Sequence, residues 1–204
     1  DWLRHATLDV QTRTDRLLFR VPSLALDVRL DPAAIGVKAD DGTVAIPFLA
    51  GVDGGVASGS ITFFFKDSDP HFDLQYSVEK VAPGKLVDAY MKRSFPGYVA
   101  TGPLTLIGRS LQRMSTPEGE PNEPVGSGEL IIDGGYVMGK SAPDWLTKIF
   151  PGLNLTRYDF IRMHDWFVKH ADGRVDHRMI FQGQYYHVYM VGYNEPNIPG
   201  QPDA

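Results

Sequence analysis

Apolar and polar residues alternate with a period of two over most of the chain, the spacing of a strand that buries one face. "LALDVRL" (24–30) places Leu24, Leu26, Val28 and Leu30 on one side and Asp27 and Arg29 on the other. "TVAIPFL" (43–49) gives Val44, Ile46 and Phe48, and "GSITFFFK" (59–66) gives Ile61, Phe63 and Phe65. "HFDLQYSVEK" (71–80) gives Phe72, Leu74, Tyr76 and Val78, and "RVDHRMIFQ" (174–182) gives Val175, His177, Met179 and Phe181. "QYYHVYMVGY" (184–193) is apolar or aromatic on both sides. It therefore reads as a strand covered on both faces or lying against a partner.

Four Asp-Gly pairs punctuate these runs: Asp41-Gly42, Asp53-Gly54, Asp133-Gly134 and Asp172-Gly173. Asp-Gly suits a hairpin turn in which both central residues need positive φ. The pattern predicts a meander of antiparallel hairpins, and "GSGELIIDGGYVMG" (126–139) reads as one of them. Two segments change to helical spacing. "APGKLVDAYMKRSF" (82–95) carries Leu86, Val87, Tyr90 and Met91 on one stripe, with Pro83 near its start. "SAPDWLTKIFPG" (141–152) has Ser141 as a cap, Pro143 in the first turn, an apolar stripe of Trp145, Leu146, Ile149 and Phe150, and a Pro-Gly stop. Both helices are expected to cap an end of the sheet. Each follows strands through an Ala-Pro, a loose internal similarity. Residues 110–127 and the Pro-rich tail read as exposed loops.

These elements predict a mainly β domain over residues 1–193, followed by a flexible tail over 194–204. The sheet is expected to be a curved antiparallel meander forming a groove or half-barrel, with two short capping helices.

Composition narrows the function. The chain has 204 residues, enough for a sizeable core. Its net charge of −5 comes from mixed acids and bases, which argues against a nucleic-acid partner. It contains no cysteine, so it has no disulfide, thiol nucleophile or thiolate metal site. No apolar run reaches the length of a membrane-spanning helix. The abrupt start on "DWLRHATLDV" reads as a processed or excised piece, so a missing anchor says nothing about the parent protein.

His164, His170, His177 and His187 cluster near Asp165, Asp172 and Asp176. No pair has the i, i+4 spacing of a helical zinc site, so cross-strand packing is favoured and no metal or other cofactor is expected. His170 and His177 flank a turn and are positioned to face each other across it. There is no Gly-x-Ser-x-Gly elbow, and no Gly-rich phosphate loop leads into a helix. No catalytic residue is assigned.

The remaining feature is the apolar load of the strands. A sheet face not filled by its own side chains accepts acyl chains at about 0.8 kcal/mol per buried methylene. The C-terminal half, through "GSGELIIDGGYVMGKSAPDWLTKIF" (126–150), "LTRYDFIRMHDWFVKHADGRVDH" (155–177) and "MIFQGQYYHVYMVGY" (179–193), resembles the C-terminal domain of the AsmA-like family of bacterial envelope proteins. Residues 40–65 and the "FDLQYSVEKVAPGKLVDAYM" that follows extend the likeness over most of 35–193. Its motifs are strand-and-turn patterns. The resemblance implies a long, twisted antiparallel sheet curling into an open groove. It also implies a periplasmic location, a parent anchored in the inner membrane, and a role in phospholipid transport or outer-membrane assembly. The family offers no catalytic residues. This chain departs from it in being short and in its long Pro- and Glu-rich connection near 115–126.

The groove is expected to be lined by Ile61, Phe63, Phe65, Leu74, Tyr76, Leu130, Ile132, Met179 and Phe181, with Trp145 and Phe150 closing one end. The expected partners are phospholipid or another acyl lipid, neighbouring domains of the parent chain and other envelope proteins. Two other readings remain. One is a closed β-sandwich recognition module that binds carbohydrate or protein on Tyr185, Tyr186 and Tyr189. The other is a metal-dependent hydrolase built on the C-terminal histidines.

Overall fold

The computed structural model describes residues 7–21, 26–30, 33–66, 68–95, 97–114, 124–138, 157–185 and 187–194. A ten-stranded antiparallel sheet dominates. In spatial order its strands are β1 (Leu8–Thr14), β4 (Ala33–Asp40), β5 (Thr43–Val52), β6 (Gly55–Phe64), β7 (His71–Val81), β9 (Leu104–Arg113), β10 (Val125–Ile132), β13 (Arg162–Lys169), β14 (Val175–Gln182) and β15 (His187–Asn194). β1 and β15 are its edges, so the sheet is open and does not close into a barrel. A small sheet pairs β8 (Tyr98–Ala100), β11 (Gly135–Met138) and β12 (Arg157–Phe160), and β2 (Leu17–Val21) pairs with β3 (Leu26–Leu30). The β2–β3 hairpin lies beside β5 and α1 (Lys85–Ser94).

The strand order follows the chain with three detours, so most of the meander expectation holds. Asp41-Gly42 and Asp53-Gly54 both have positive φ at each position (43° and 78°, 41° and 77°), the geometry of a tight primed hairpin turn. Asp133-Gly134 differs. Only Gly134 enters the positive-φ region, at 92°. β10 and β11 do not pair with each other: β10 lies between β9 and β13, and β11 lies between β8 and β12. The segment 126–138 is therefore a strand bent from one sheet into another, not a hairpin. β8 into β9 and β12 into β13 make the same bend. The Thr101 and Gly102 N–H groups donate to the Gly134 carbonyl at 2.9 and 3.2 Å, and Asp133 N–H donates to the Pro103 carbonyl at 3.0 Å. A side chain at Gly102 would run into the Asp133 carbonyl, so the close approach needs glycine.

The loop expected over 110–127 is shorter than its composition suggested. Ser110–Arg113 belong to β9 and Val125–Ser127 to β10, with Leu111 opposite Val125. Of the two expected helices, α1 is present. It buries Val87 and Met91, with Leu86 and Tyr90 packed beside them. Gly84 caps it, one position after Pro83. The second segment, 141–152, lies outside the described residues, and so do Trp145 and Phe150.

The core fills the angle between the large sheet, the three bent strands and α1. Val52, Val81, Leu104, Leu130, Ile132, Met163 and Phe181 come from the large sheet; Ala100 and Phe160 come from the small one; Val87, Met91 and Phe95 come from the helix and its end. A bulge between Val78 and Val81, with Lys80 at φ 55°, re-aims Val81 into this cluster. Leu130→Ala should cost about 2–5 kcal/mol in denaturant unfolding, because this side chain is fully buried where three layers meet. A loss below about 1 kcal/mol would contradict a close-packed corner.

Candidate functional site: one sheet face, filled at one end

Cross-strand register assigns the inward residues of β5 to β15 to a single face, arranged in rows. Nearest the corner runs Val52, Val81, Leu104, Ile132, Met163, Phe181 and Val188. The next row holds Ala50, Ala57, Val78, Leu106, Leu130, Asp165, Met179 and Met190. A third is built of aromatics and glycines: Phe48, Gly59, Tyr76, Gly108, Gly128 and Phe167, ending in His177 and Gly192. A Cβ at Gly59, Gly108 or Gly128 would lie 2.7, 2.7 or 2.6 Å from the Cζ of Phe48, Tyr76 or Phe167. The rings therefore lie flat across neighbouring strands in the space that the glycines leave. Burial pushes the Tyr76 phenol above its ordinary pKa.

Beyond this row the face divides. On β5 to β7 it stays apolar, with Val44, Ile46, Ile61, Phe63, Phe72 and Leu74 all half-buried. Phe65 follows β6 and stacks on Phe63 at 6.0 Å, and Phe63 meets Phe72 at 5.7 Å. On β9 to β13 the same rows hold Ser110, Gln112, Gly126 and Lys169.

All nine lining residues expected from alternation point to this face, but they fall into two groups. Leu130, Ile132 and Phe181 are at most 1 % exposed and pack inside the corner, with Met179 beside them. Ile61, Phe63, Phe65, Leu74 and Tyr76 lie at the half-buried end.

The histidines do not converge. His164 Nε2 lies 3.0 Å from Glu129 on the opposite face, stacked on Trp166; His170 Nε2 meets Asp176 at 2.8 Å near the turn; His187 is exposed on β15. His170 and His177 do not face each other as their flanking positions suggested, because each turns to a different carboxylate. Among the described residues, no three metal-ligating side chains come together.

His177 joins a polar line that sequence reasoning missed. Its Nδ1–H donates to Asp165 Oδ2 at 2.7 Å, and the Asn194 amide lies 3.2 Å from Nε2. Asp165 is fully buried, and its Oδ1 has no hydrogen-bond partner. The Phe95 ring packs edge-on against the imidazole at 5.6 Å. Burial, and then the Asp165 charge, push the Tyr98 phenol upward. The line ends in a cleft of about 260 Å³ lined by Tyr90, Phe95, Phe167, Lys169, Val175, His177 and Asn194. A carboxylate that orients an imidazole is half of a nucleophile-activating relay. Here Asn194 occupies Nε2, and among the described residues the cleft lining contains no serine, threonine or cysteine. The signal that could have found the pair was parity: Asp165 and His177 take inward positions on adjacent strands.

Comparison of the chain with protein-family models, with curated proteins and with solved structures returned no match. The functional reading therefore rests on the residues themselves.

On the opposite face Asp73 is held by Arg109, with Nε 2.9 and 3.0 Å from its two carboxylate oxygens. This bond, with Gln75 assisting, lowers the Asp73 pKa below its ordinary value. A lowered folded pKa contributes stability above the unfolded value of about 4, and that contribution is lost as pH falls through the folded value. The stability gap between wild type and Asp73→Asn should therefore be full at neutral pH and shrink below about pH 4 in acid titrations of unfolding. A gap that is constant with pH would contradict the pairing. His177→Ala strands the Asp165 carboxylate and should cost about 3–5 kcal/mol, whereas Asp165→Leu with His177→Leu should recover much of it. Additive losses in a double-mutant cycle would show that the two groups are not coupled.

Proposed function

We propose that this chain is a non-enzymatic module of a bacterial envelope protein, with its sheet curved into an apolar groove that handles phospholipid acyl chains. The module works in the periplasm within an AsmA-like parent anchored to the inner membrane, and serves phospholipid transport or outer-membrane assembly. One observation carries this reading. The face that is packed solid at the corner continues across β5 to β7 as a half-exposed apolar surface. Burying roughly ten methylenes there would contribute about 8 kcal/mol before the cost of ordering the lipid. The strand-and-turn resemblance of residues 35–193 supports the same reading, and the glycine–aromatic row supplies a low floor on which a flexible chain can lie.

A recognition module is the second reading. It draws support from Tyr185 and Tyr189, which are 85 % and 72 % exposed, and from Trp166 on the same face as Tyr189. An open sheet with a half-covered apolar face weighs against it.

Native mass spectrometry of the chain produced in bacteria, with extraction of anything bound, separates the two. Phospholipid at a defined stoichiometry is expected. Phe63→Asp with Phe72→Asp should release it while the fold persists, and Ile132→Asp should unfold the domain instead. A clean apo mass together with glycan binding that depends on Trp166 and Tyr189 would replace the lipid reading with the recognition one.

A further inference from the structure

Among the described residues β15 is the edge of the large sheet, yet it lacks the features that keep an edge strand solitary. Natural edges carry charge, proline, a bulge or short length. β15 is eight residues long and pairs with β14 in unbroken register, from His187 opposite Gln182 to Asn194 opposite Val175. Residues 188–193 hold no Lys, Arg, Asp, Glu or Pro. Tyr189, Val191 and Tyr193 project together on the outer face, 72 %, 84 % and 61 % exposed, and Met190 is exposed on the other. The opposite edge, β1, alternates Asp9, Gln11 and Arg13 on its outer side.

We propose that β15 is a self-association strand, at which two copies of this chain pair antiparallel about a twofold axis through Val191. The inference stands independently of the lipid reading. A twofold axis normal to the sheet keeps each face continuous, so opposed residues must share a face. Centring on Val191 meets this condition along the strand. Tyr189 stands opposite Tyr193 of the second copy, Val191 opposite itself, and Met190 opposite Gly192. A Cβ placed at Gly192 meets nothing within 4 Å, which leaves room for the facing methionine. The Tyr–Tyr and Val–Val pairs are of the aromatic and β-branched kinds that stabilise cross-strand contacts. No like charges meet along 188–193, so this strand complements itself at no electrostatic cost.

Cross-linking tests both the contact and its register. The chain has no cysteine, so each variant carries one thiol. Directly opposed residues in an antiparallel pair lie about 4.5–5.5 Å apart at Cα, within disulfide reach. Val191→Cys should form a disulfide dimer under mild oxidation. Met190→Cys and Gly192→Cys should each form no disulfide alone, because neither thiol faces its own copy, and should link when mixed. Val10→Cys, on the other edge, should not link. Sedimentation should show wild type as a dimer, Val191→Lys and Val191→Glu as monomers, and their mixture as a dimer again. Val191 is exposed, so these variants are expected to keep the fold, which circular dichroism checks. A monomeric wild type would overturn the proposal. So would cross-linking that follows Val10, or that joins Met190→Cys to itself.

Discussion

Three strands that leave one sheet to enter another hold this fold together. A lone sheet has two faces and no interior, and a long helix or a second complete sheet is the usual remedy. Here β8–β9, β10–β11 and β12–β13 bend at their shared level, and their far ends fold over the face from which they came. The bend is fixed by backbone hydrogen bonds between Gly134 and the Thr101–Gly102 segment, and by the absence of a side chain at Gly102. Once it is made, Leu130, Ile132, Met163 and Phe181 acquire a ceiling of Ala100, Phe160 and α1, and the core follows. Distance from the bend then sets burial: away from the β15 edge, where Met190 is exposed, residues in the first two rows are packed, and those beyond the aromatic row are only half-buried.

Much of this was legible from alternation alone. Ile61, Phe63, Leu74 and Tyr76 were assigned to one face on a period of two, and register places them there. Asp41-Gly42 and Asp53-Gly54 form the turns their chemistry suits. The bend at Asp133-Gly134 was not legible, because the same dipeptide serves a hairpin or a corner. Backbone φ alone does not decide between them, since Asp172-Gly173 also has positive φ only at its glycine and yet turns the β13–β14 hairpin; pairing with strands distant in sequence does. The strand ends at Ser110–Arg113 and Val125–Ser127 were hidden for a related reason. Their inward positions hold serine, glutamine and glycine, so the pattern looks like loop while the backbone pairs normally. The histidines obey the same alternation: they are close in sequence, but His164 and His177 take opposite faces of the sheet.

The Asp165–His177 pair follows from the same geometry. Its row holds Leu106 and Leu130 on one side and Met179 on the other, so an apolar residue at 165 would extend the core. A buried pair with an unpartnered oxygen costs stability relative to a hydrocarbon filling. What it adds is specificity. Asp165 and Asn194 approach the imidazole from strands on either side of β14, which ties the edge strand to the interior in one register. A hydrophobic trio would tolerate a slip of two residues along β15; a directional line through His177 does not.

That constraint also explains how the outer strand can be ordered and exposed at once. β15 gains little from burial, since nearly all its side chains face solvent. Its order comes from the ladder with β14 and from Asn194, with Val188 alone packing against the core. A strand held in this way presents its outer row of backbone donors and acceptors already aligned. The entropy of ordering them is spent within the monomer, so an incoming strand meets a rigid template. The polar edge at β1 presents the same backbone groups beneath charged side chains that would have to shed water on contact. The sheet is thus open on both sides, yet only one of its edges is built to be joined.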